Sequence, residues 1–352
     1  MEPETHTKNS NGEEIVVQWK YQLPFSDANV SKSIAVDSQG YFYITGYTLS
    51  QLGNNVRNVN AWVVKYDAQG QLCWQHQLGF SRYDVFNDIA VDSQSYVHIT
   101  GGIFGQLASN STSGVDVWLA KCDPHGQLCS LRWHQQLLPQ GADASNGIAL
   151  DIQGYVYIGY TASELASSGE VSRSAWITKY DPQGQLCWQH QLQSSWTDVA
   201  KGIAVDSFGY IYITGYISNQ VVSSSQSNRS AWIAKYNSHG QLYWQHQLPS
   251  SEVNVSKSIA VDNFGHIYIT GYTWSQLNSS ELNRHAWLAK YEPSGQLRWL
   301  QQLGFSSFDV CNDLAVDSQG NIYITGGTFS QLNSTSARDG NTWVAKLVVN
   351  KT

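Results

Sequence analysis

The sequence predicts an all-β fold, a six-bladed β-propeller with four antiparallel strands in each blade. The first observation behind this prediction is a unit that occurs six times, marked by the Asp of an Ala-Val-Asp or Ala-Leu-Asp triplet. These residues, spaced 55, 59, 55, 56 and 55 apart, are Asp37, Asp92, Asp151, Asp206, Asp262 and Asp317. A repeat of this length is typical of propellers and other arrays. The second observation is the strand pattern inside each unit, and the third is the way in which the two chain ends complement each other.

The four strands follow one another in a constant order within each unit. In the first unit they are predicted at Ile34–Val36, Tyr41–Thr45, Ala61–Tyr66 and Leu72–His76. All four runs are rich in β-branched and aromatic residues, and no stretch of the chain shows a helical period. The turns at 37–40 and 67–70 begin with Asp and end with Gly, which indicates a type I turn followed by a left-handed residue.

The N-terminal strand is predicted to complete the sixth blade. The fourth strand of a unit carries a Trp, and five units have it, at Trp74, Trp133, Trp188, Trp244 and Trp299. The sixth unit ends after Lys346, before such a strand, whereas the N-terminal run around Trp19 has the same pattern. Pairing of the two chain ends leaves no open sheet edge.

We expect a single domain, because a closed ring of repeats cannot be divided without opening it. The propeller is predicted to span residues 15–347. Residues 1–14 are polar and are expected to be a disordered tail, and residues 348–352 form a short C-terminal tail.

Several of the repeated motifs resemble a known family. The run Asn87–Asp92, the stretch Asp317–Gly326 and the aromatic-x-x-Lys strand, as in Trp62–Lys65, are similar to bacterial propeller repeats of the SBBP type and more loosely to NHL repeats. The resemblance covers about residues 15–347. The chain departs from the family in having six units rather than seven, in using Trp where Phe is usual, and in Ser95, which replaces a turn Gly. The resemblance implies a fold and no single activity.

Composition excludes several partners. The net charge is −7 and no cluster of Lys and Arg occurs, which argues against nucleic acid and anionic lipid. The chain as given has no apolar run of the kind found in signal peptides or membrane spans, so we expect a cytoplasmic protein. Only 13% of the residues are charged, a surface also common in secreted propellers, so a mature secreted form stays open.

No metal or cofactor motif is present in the sequence. The ten His residues lack metal-binding spacing, and there is no glycine-rich phosphate loop or catalytic signature motif. We therefore expect neither a metal centre nor a cofactor. The five Cys residues are expected to be reduced, because three of them occupy similar positions in different blades, too far apart for a disulfide.

The two long loops of each unit are expected to lie on one face, which is where a rigid scaffold usually carries function. Twelve of the fourteen Trp residues occupy the two repeated positions, and only Trp196 and Trp274 do not. Both are predicted on long loops, in blades four and five. Exposed aromatic residues are common at binding surfaces. The alternative is that each Trp packs on its own loop.

Two rings of polar residues are predicted near the mouth of the central channel. The outer ring, five residues before the Ile or Leu of the first strand, is Asn29, Asp84, Asp143, Asp198, Asn254 and Asp309. The inner ring, two residues before it, is Lys32, Asn87, Asn146, Lys201, Lys257 and Asn312. The outer ring is regular and favours turn capping. The inner ring varies in charge and indicates a site for a small polar ligand or a cation.

The first functional hypothesis is a non-catalytic binding or interaction propeller that holds a protein, a glycan or a small polar molecule on the long-loop face. Trp196 and Trp274 would stack on the ligand. Charged residues of the same sector would orient it by charge-assisted hydrogen bonds; these are Lys201, Lys257, Arg229, Arg284 and Glu252.

The alternative hypothesis is an enzyme with a pocket at the channel mouth, either lactonase-like or a condensing or aromatic-alkylating biosynthetic enzyme. The general base or cation ligands would be Asp84, Asp198 and Asp309. Tyr83, Trp196 and Phe308 would shape an apolar wall. This hypothesis depends on what other propellers do.

Overall fold

The computed structural model describes residues 6–8, 13–23, 28–52, 56–78, 84–104, 115–125, 130–134, 144–165, 171–192, 198–219, 228–248, 253–278, 281–303, 309–328 and 341–350. Within these residues the fold is all-β, and its strands form six separate antiparallel sheets. The first strand of each sheet packs beside the first strand of the next, and the sixth sheet packs beside the first, so the sheets close into a ring. The predicted six-bladed β-propeller is confirmed.

The strands of each blade follow one another from the channel outward. Blades 1 to 3 contain β3 (Ala28–Val36), β4 (Phe42–Leu52), β5 (Val56–Tyr66), β6 (Leu72–Leu78), β7 (Asp84–Val91), β8 (Val97–Phe104), β9 (Val115–Cys122), β10 (Ser130–His134), β11 (Ala144–Leu150), β12 (Val156–Leu165), β13 (Val171–Tyr180) and β14 (Leu186–Gln191). Blades 4 and 5 contain β15 (Asp198–Val205), β16 (Ile211–Asn219), β17 (Asn228–Tyr236), β18 (Leu242–Gln247), β19 (Val253–Val261), β20 (Ile267–Asn278), β21 (Glu281–Tyr291) and β22 (Leu297–Leu303).

Blade 6 is assembled from both ends of the chain. It contains β23 (Asp309–Val316), β24 (Ile322–Thr328), β25 (Asn341–Asn350), β2 (Glu14–Gln22) and β1 (His6–Lys8). β2 pairs with β25, with Trp19 opposite Lys346, as the sequence predicts. The N-terminal segment differs from the expected disordered tail in one respect, because His6–Lys8 pair with the start of β2 as a fifth strand. Its polar sequence carries no alternation that would indicate a strand.

A buried carboxylate replaces a missing turn where the chain ends meet. Between blades 1 and 2 the indole N–H of Trp74 donates to the carbonyl of Pro124, in the turn that follows β9. In blade 6 no turn joins β25 to β2, because they come from opposite chain ends. There the indole N–H of Trp299 donates to Glu13 Oε2 at 2.7 Å, and Arg298 Nε lies 2.9 Å from Glu13 Oε1. Glu13 therefore supplies the acceptor that a turn carbonyl supplies elsewhere.

The regular Asp residues have a structural role. Asp37 Oδ1 accepts the N–H groups of Gln39 and Tyr41 at 3.0 Å, and its Oδ2 accepts the Tyr43 hydroxyl at 3.1 Å. The turn Gly residues have positive φ, and Ser95 takes the same conformation at φ 61° in blade 2. The six marker residues thus hold the turns on the face opposite the long loops.

The hydrophobic core lies between blades rather than inside them. The junction of blades 3 and 4, for example, buries Tyr157, Ile177, Ile203 and Trp232 in one cluster. Each of the six junctions has such a cluster among the described residues. The channel side of the first strands is therefore not needed for the main core, and it can carry polar side chains.

One expectation about cysteine is wrong. Cys73, Cys187 and Cys311 are free thiols, but Cys122 is disulfide-bonded. Cys122 takes a place that other units fill with Tyr.

Candidate functional site

Every first strand contains a β-bulge at the same place. In blade 1 Ser31 lies opposite Gly46 and Ser33 lies opposite Thr45, so Lys32 is an extra residue without a partner in the ladder. The corresponding extra residues in the other blades are Asn87, Asn146, Lys201, Lys257 and Asn312. A bulge bends the strand and redirects its side chain. The inner ring predicted from the sequence is therefore the set of bulge residues.

The six bulge residues line one cavity of about 80 Å³ at the centre of the ring. Each blade contributes to its wall, and the residues next to the bulges complete it. Lys201 and Lys257, which were predicted to bind a ligand, thus line the same cavity as Lys32 and the three Asn residues. Their role in binding a ligand stays a prediction.

Tyrosine rings support two of the lysines. Lys32 Nζ lies 5.5 Å from the centroid of Tyr47, and Lys257 Nζ lies 5.8 Å from that of Tyr272, within the range of cation–π attraction. Arg284 Cζ lies 5.5 Å from the same Tyr272 ring. The ring therefore connects Lys257 in the channel with Arg284 further out on blade 5.

Burial and hydrogen bonds set the state of three bulge residues. Burial lowers the pKa of Lys32, because the ammonium group loses contact with water. In the opposite half of the ring Lys201 Nζ donates to Asn146 Oδ1 at 3.1 Å, and Asn146 Nδ2 donates to the Thr161 hydroxyl at 3.2 Å. These two hydrogen bonds fix the orientation of the Asn146 amide.

The residue directly after each bulge connects neighbouring blades, and we call this place the clasp position. Its occupants are Ser33, Asp88, Gly147, Gly202, Ser258 and Asp313. Asp88 Oδ2 accepts the Ile148 N–H of blade 3 at 2.6 Å, and Asp313 Oδ2 accepts the Ile34 N–H of blade 1 at 2.6 Å. The polar clasps thus satisfy backbone donors of the next blade.

Ser33 joins the two clasp carboxyl groups. Its hydroxyl oxygen lies 2.6 Å from Asp313 Oδ2 and within hydrogen-bond distance of Asp88 Oδ1, and it also accepts the Ile89 N–H at 3.1 Å. A hydroxyl has one proton and two lone pairs. It can donate to one carboxylate only, and a single proton on the carboxyl pair lets the second carboxyl group donate to it. The geometry therefore favours one proton on the carboxyl pair.

The surroundings of the pair agree with this proton count. Burial raises the pKa of Asp88 well above its ordinary range, and the nearby charge of Asp313 raises it further. Burial also raises the pKa of Asp313, to about 6, against the opposing effect of its hydrogen-bond donors. A pair of buried acids this close cannot ionise twice without a large electrostatic cost.

Asp88 and Asp313 are not among the site residues predicted from the sequence. The predicted carboxylates Asp84 and Asp309 lie four residues earlier on the same strands. A signal was present, because the clasp position reads Ser, Asp, Gly, Gly, Ser and Asp around the ring and so breaks the repeat. The significance of this variation depends on the bulge, because the bulge directs Asp88 and Asp313 to the cavity together with the bulge residues.

The outer-ring Asp residues begin their strands. Asp84, Asp198 and Asp309 are paired with Ile103, Ile217 and Thr328, and their side chains lie outside the described residues. Arg229 lies in β17 opposite Ser218, and its side chain is likewise outside them. Tyr83, Trp196, Glu252 and Phe308 lie wholly outside the described residues.

Trp274 lies in a strand and not in the expected loop. It is part of β20, opposite Arg284 on β21 and Val253 on β19. The Ser- and Asn-rich sequence indicated a loop, but the hairpin ladder continues through it because consecutive residues on both strands form backbone pairs. The backbones of Trp274 and Arg284 are therefore neighbours, although the Trp274 side chain is outside the described part.

Two further observations concern the described part of the chain only. No three His, Cys, Asp or Glu side chains within it are grouped as metal ligands would be. It also contains no helix with the length and apolar character of a membrane span.

Comparison with known proteins places the fold. The beta-propeller repeat family SBBP matches residues 18–54, 188–220, 249–278 and 298–330. Among curated proteins, an uncharacterized WD repeat-containing protein of Acanthamoeba polyphaga mimivirus is 27% identical over 156 residues, which is 39% of this chain. The aligned part makes up 11% of that relative's length.

Several solved structures share the fold at low sequence identity. An alpha-L-arabinofuranosidase of Fusarium graminearum has a TM-score of 0.61 at 8% identity, covering 97% of each chain. A protein of unknown function from Dyadobacter fermentans has a TM-score of 0.60 at 8% identity, covering 96% of this chain and 99% of its own. An aldose sugar dehydrogenase of Streptomyces coelicolor has a TM-score of 0.53 at 13% identity, covering 97% of this chain and 100% of its own. At such identities the likeness concerns the fold alone. The protein is a six-bladed β-propeller in which four regions match the SBBP beta-propeller repeat.

Proposed function

We propose that this propeller is a binding protein that holds a small polar ligand in the central cavity. One observation carries the proposal: a bulge in every blade directs a Lys or Asn side chain to the same place. Six blades of one repeat contribute to a single wall, yet three of them supply an ammonium group and three supply an amide group. A purely structural ring would not require this variation.

The energetic cost of the arrangement supports a ligand. Burial of Lys32 lowers the pKa of its ammonium group, and the cavity collects three lysines that a packed core would not need. The hydrophobic core lies elsewhere, so the ring is not required for packing. Cavities with a few convergent polar groups are the usual form of a small-molecule site.

The outer residues named from the sequence form a proposed second layer of the site. Arg284 is connected to the cavity through Tyr272 and Lys257. Trp274 is the backbone neighbour of Arg284. We propose that this sector of blade 5, with Trp196, Arg229 and Glu252, contacts the part of a ligand that extends beyond the cavity, or a glycan or protein that carries the ligand group.

A ligand screen with lysine variants tests the proposal. Small sugars, carboxylates, phosphates and amines would be screened by thermal shift, and hits measured by calorimetry on the wild type and on Lys201→Met and Lys257→Met. We expect each substitution to weaken binding at least about tenfold, because a charge-assisted hydrogen bond is lost.

Lys179→Met is the matched control for this screen. Lys179 lies in a repeated position, 4.2 Å from the Tyr155 ring centroid, so the control removes an equal charge from a lysine that does not line the cavity. Binding that persists in both cavity variants would contradict the proposed site. Trp196→Ala and Trp274→Ala would show whether the outer sector contributes.

An enzyme is the second candidate function, and the carboxyl pair is the observation that favours it. A carboxylic acid that keeps its proton near neutral pH is a candidate general acid. The solved neighbours include sugar-processing enzymes, but their identity to this chain is too low to transfer an activity. Mass spectrometry of each hit after incubation separates the two functions, since a binding protein returns its ligand unchanged.

A further inference from the structure

We infer that the ligand is a small oxyanion, a carboxylate or a phosphate group, recognised jointly by the three lysines and by the proton that Asp88 and Asp313 share across Ser33. This inference rests on the proposed function and specifies the ligand class of the same cavity. It assigns a binding role to a carboxyl pair that also has a structural role as blade clasps.

The charge of the cavity wall favours an anion. Lys32, Lys201 and Lys257 contribute three positive charges, whereas the two carboxyl groups of the described wall carry one negative charge while they share a proton. The remaining bulge residues are neutral amides, which can donate to an oxyanion. A cation would face three ammonium groups, so the wall does not suit it.

The size of the cavity limits the ligand group. A volume of about 80 Å³ is sufficient for a carboxylate, a phosphate or a few water molecules. A larger ligand would therefore enter with its anionic group only, and the rest would lie toward the long-loop face. Ammonium and amide donors from several directions are well suited to the several acceptor oxygens of such a group.

The shared proton couples anion binding to pH. If the pair lost this proton, a second negative charge would stand beside the anion in the same small cavity. The anion and the proton should therefore stabilise each other, and by linkage the effect is reciprocal. The other titratable groups on the first strands are the three lysines, the Cys311 thiol and the outer-ring Asp84, Asp198 and Asp309. All of these persist when only the pair is changed.

Asp88→Asn isolates this effect. The amide NH2 can take the place of Oδ1 and donate to the Ser33 hydroxyl, while the amide oxygen accepts the Ile148 N–H. The Ile89 N–H, which Oδ1 accepts at 2.9 Å in the wild type, keeps the Ser33 Oγ as its acceptor. The variant therefore mimics the singly protonated pair at every pH. Asp67→Asn is the matched control, since Asp67 lies in an exposed turn and Asn237 holds the equivalent turn of blade 4.

Calorimetric titration with sulfate and with formate tests the inference, because neither anion changes its charge between about pH 5 and pH 8. For the wild type we expect the affinity to fall about tenfold across this range. Asp67→Asn should follow the wild type. Asp88→Asn should bind at pH 8 about as tightly as the wild type does at pH 5, and Lys32→Met identifies any part of the profile that comes from the Lys32 ammonium.

The outcomes of these titrations distinguish a failure of the oxyanion inference from a failure of the proposed binding function. Superimposable pH profiles for the wild type and a folded Asp88→Asn would overturn the role of the shared proton. Binding of neutral or cationic molecules in the cavity, with no binding of sulfate or formate, would overturn the oxyanion class and leave the proposed function intact. Binding of none of these, or anion binding unaffected by Lys201→Met and Lys257→Met, would refute the proposed site itself.

Discussion

The two halves of the central channel join neighbouring blades in different ways. In blades 6, 1 and 2 the clasp position holds Asp313, Ser33 and Asp88, whose oxygens accept backbone N–H groups of the next blade. In blades 3 and 4 it holds Gly147 and Gly202, and the next strand comes so close that a Cβ on Gly202 would lie 2.8 Å from Ser258 Cα. Blade 5, with Ser258, also has a polar clasp, so four blades use a polar side chain and two use direct backbone packing.

This difference shows how a repeat protein acquires a site without losing its scaffold. The clasp position can hold a side chain that accepts a hydrogen bond or a glycine without a side chain, and the ring closes in both cases. The polar half concentrates two acids and one hydroxyl on one side of the cavity. The opposite half leaves Lys201 and Asn146 bonded to each other. The channel is therefore chemically asymmetric although the blades are equivalent.

The largest expected effect comes from placing a side chain in the glycine half. Gly202→Ala should lower the free energy of unfolding by at least about 3 kcal/mol, because the atoms that its Cβ would meet belong to the backbone of Ser258 and Ile259. Urea denaturation measures this loss.

Gly320→Ala is the control for that substitution, since Gly320 has φ +83° and no atom within 4 Å of the added Cβ. It should cost only about 1–2 kcal/mol, from backbone conformation alone. Equal losses for both variants would mean that the two halves do not differ in packing.

The next effect concerns the pH dependence of stability in the polar half. The pKa of Asp313 in the folded protein, about 6, lies above its ordinary value of 3.8, and that of Asp88 is raised as well. The folded state therefore holds these protons more tightly than the unfolded state. This contribution to stability is complete below about pH 4 and is lost as the pH rises through about 6 and beyond.

Asp88→Asn should remove most of this loss. Relative to the wild type, the variant should gain about 2–3 kcal/mol of unfolding free energy between pH 4 and pH 8. It removes a buried carboxyl group whose ionisation is opposed first by burial and then by the charge of Asp313. Urea denaturation of both proteins across this range measures the gain. Parallel stability curves would show that the pair holds no extra proton.

The smallest effect concerns the hydroxyl that joins the two acids. Ser33→Ala should cost about 2 kcal/mol at pH 8, because two buried carboxyl groups and the Ile89 N–H lose a shared partner. Ser258→Ala should cost about 1 kcal/mol, since the Ser258 hydroxyl accepts the Leu314 N–H at a longer 3.3 Å. Thermal unfolding at two pH values checks both, and a larger loss for Ser258→Ala would reverse the proposed asymmetry.

Much of the scaffold could be predicted from sequence because its signals are local. The turn at Asp37, the strand pattern around Trp19 and the outer Trp residues are repeated, so each copy supports the others. The extent of individual hairpins was harder to predict. Trp274 lies in a strand because its backbone pairs with Arg284, and a Ser- and Asn-rich segment does not reveal that pairing.

The site could be predicted only in part. The inner ring was found because its members differ in charge at one repeat position. The bulge at Lys32 has no sequence signature, because it is defined by the register of β3 with β4. It can therefore be recognised only in the paired strands. The acids at the clasp position were missed for the same reason.

The sequence by itself determined the number of blades, the order of strands and the joining of the chain ends, because these follow from a repeated pattern of short-range preferences. Only the tertiary structure decided that two of many Asp residues are buried and meet at one Ser hydroxyl. Ser33 and Asp313 are 280 residues apart in the chain and become neighbours when blade 6 closes on blade 1. Burial then makes their charges interact, and neither proximity nor burial is a property of the residues alone.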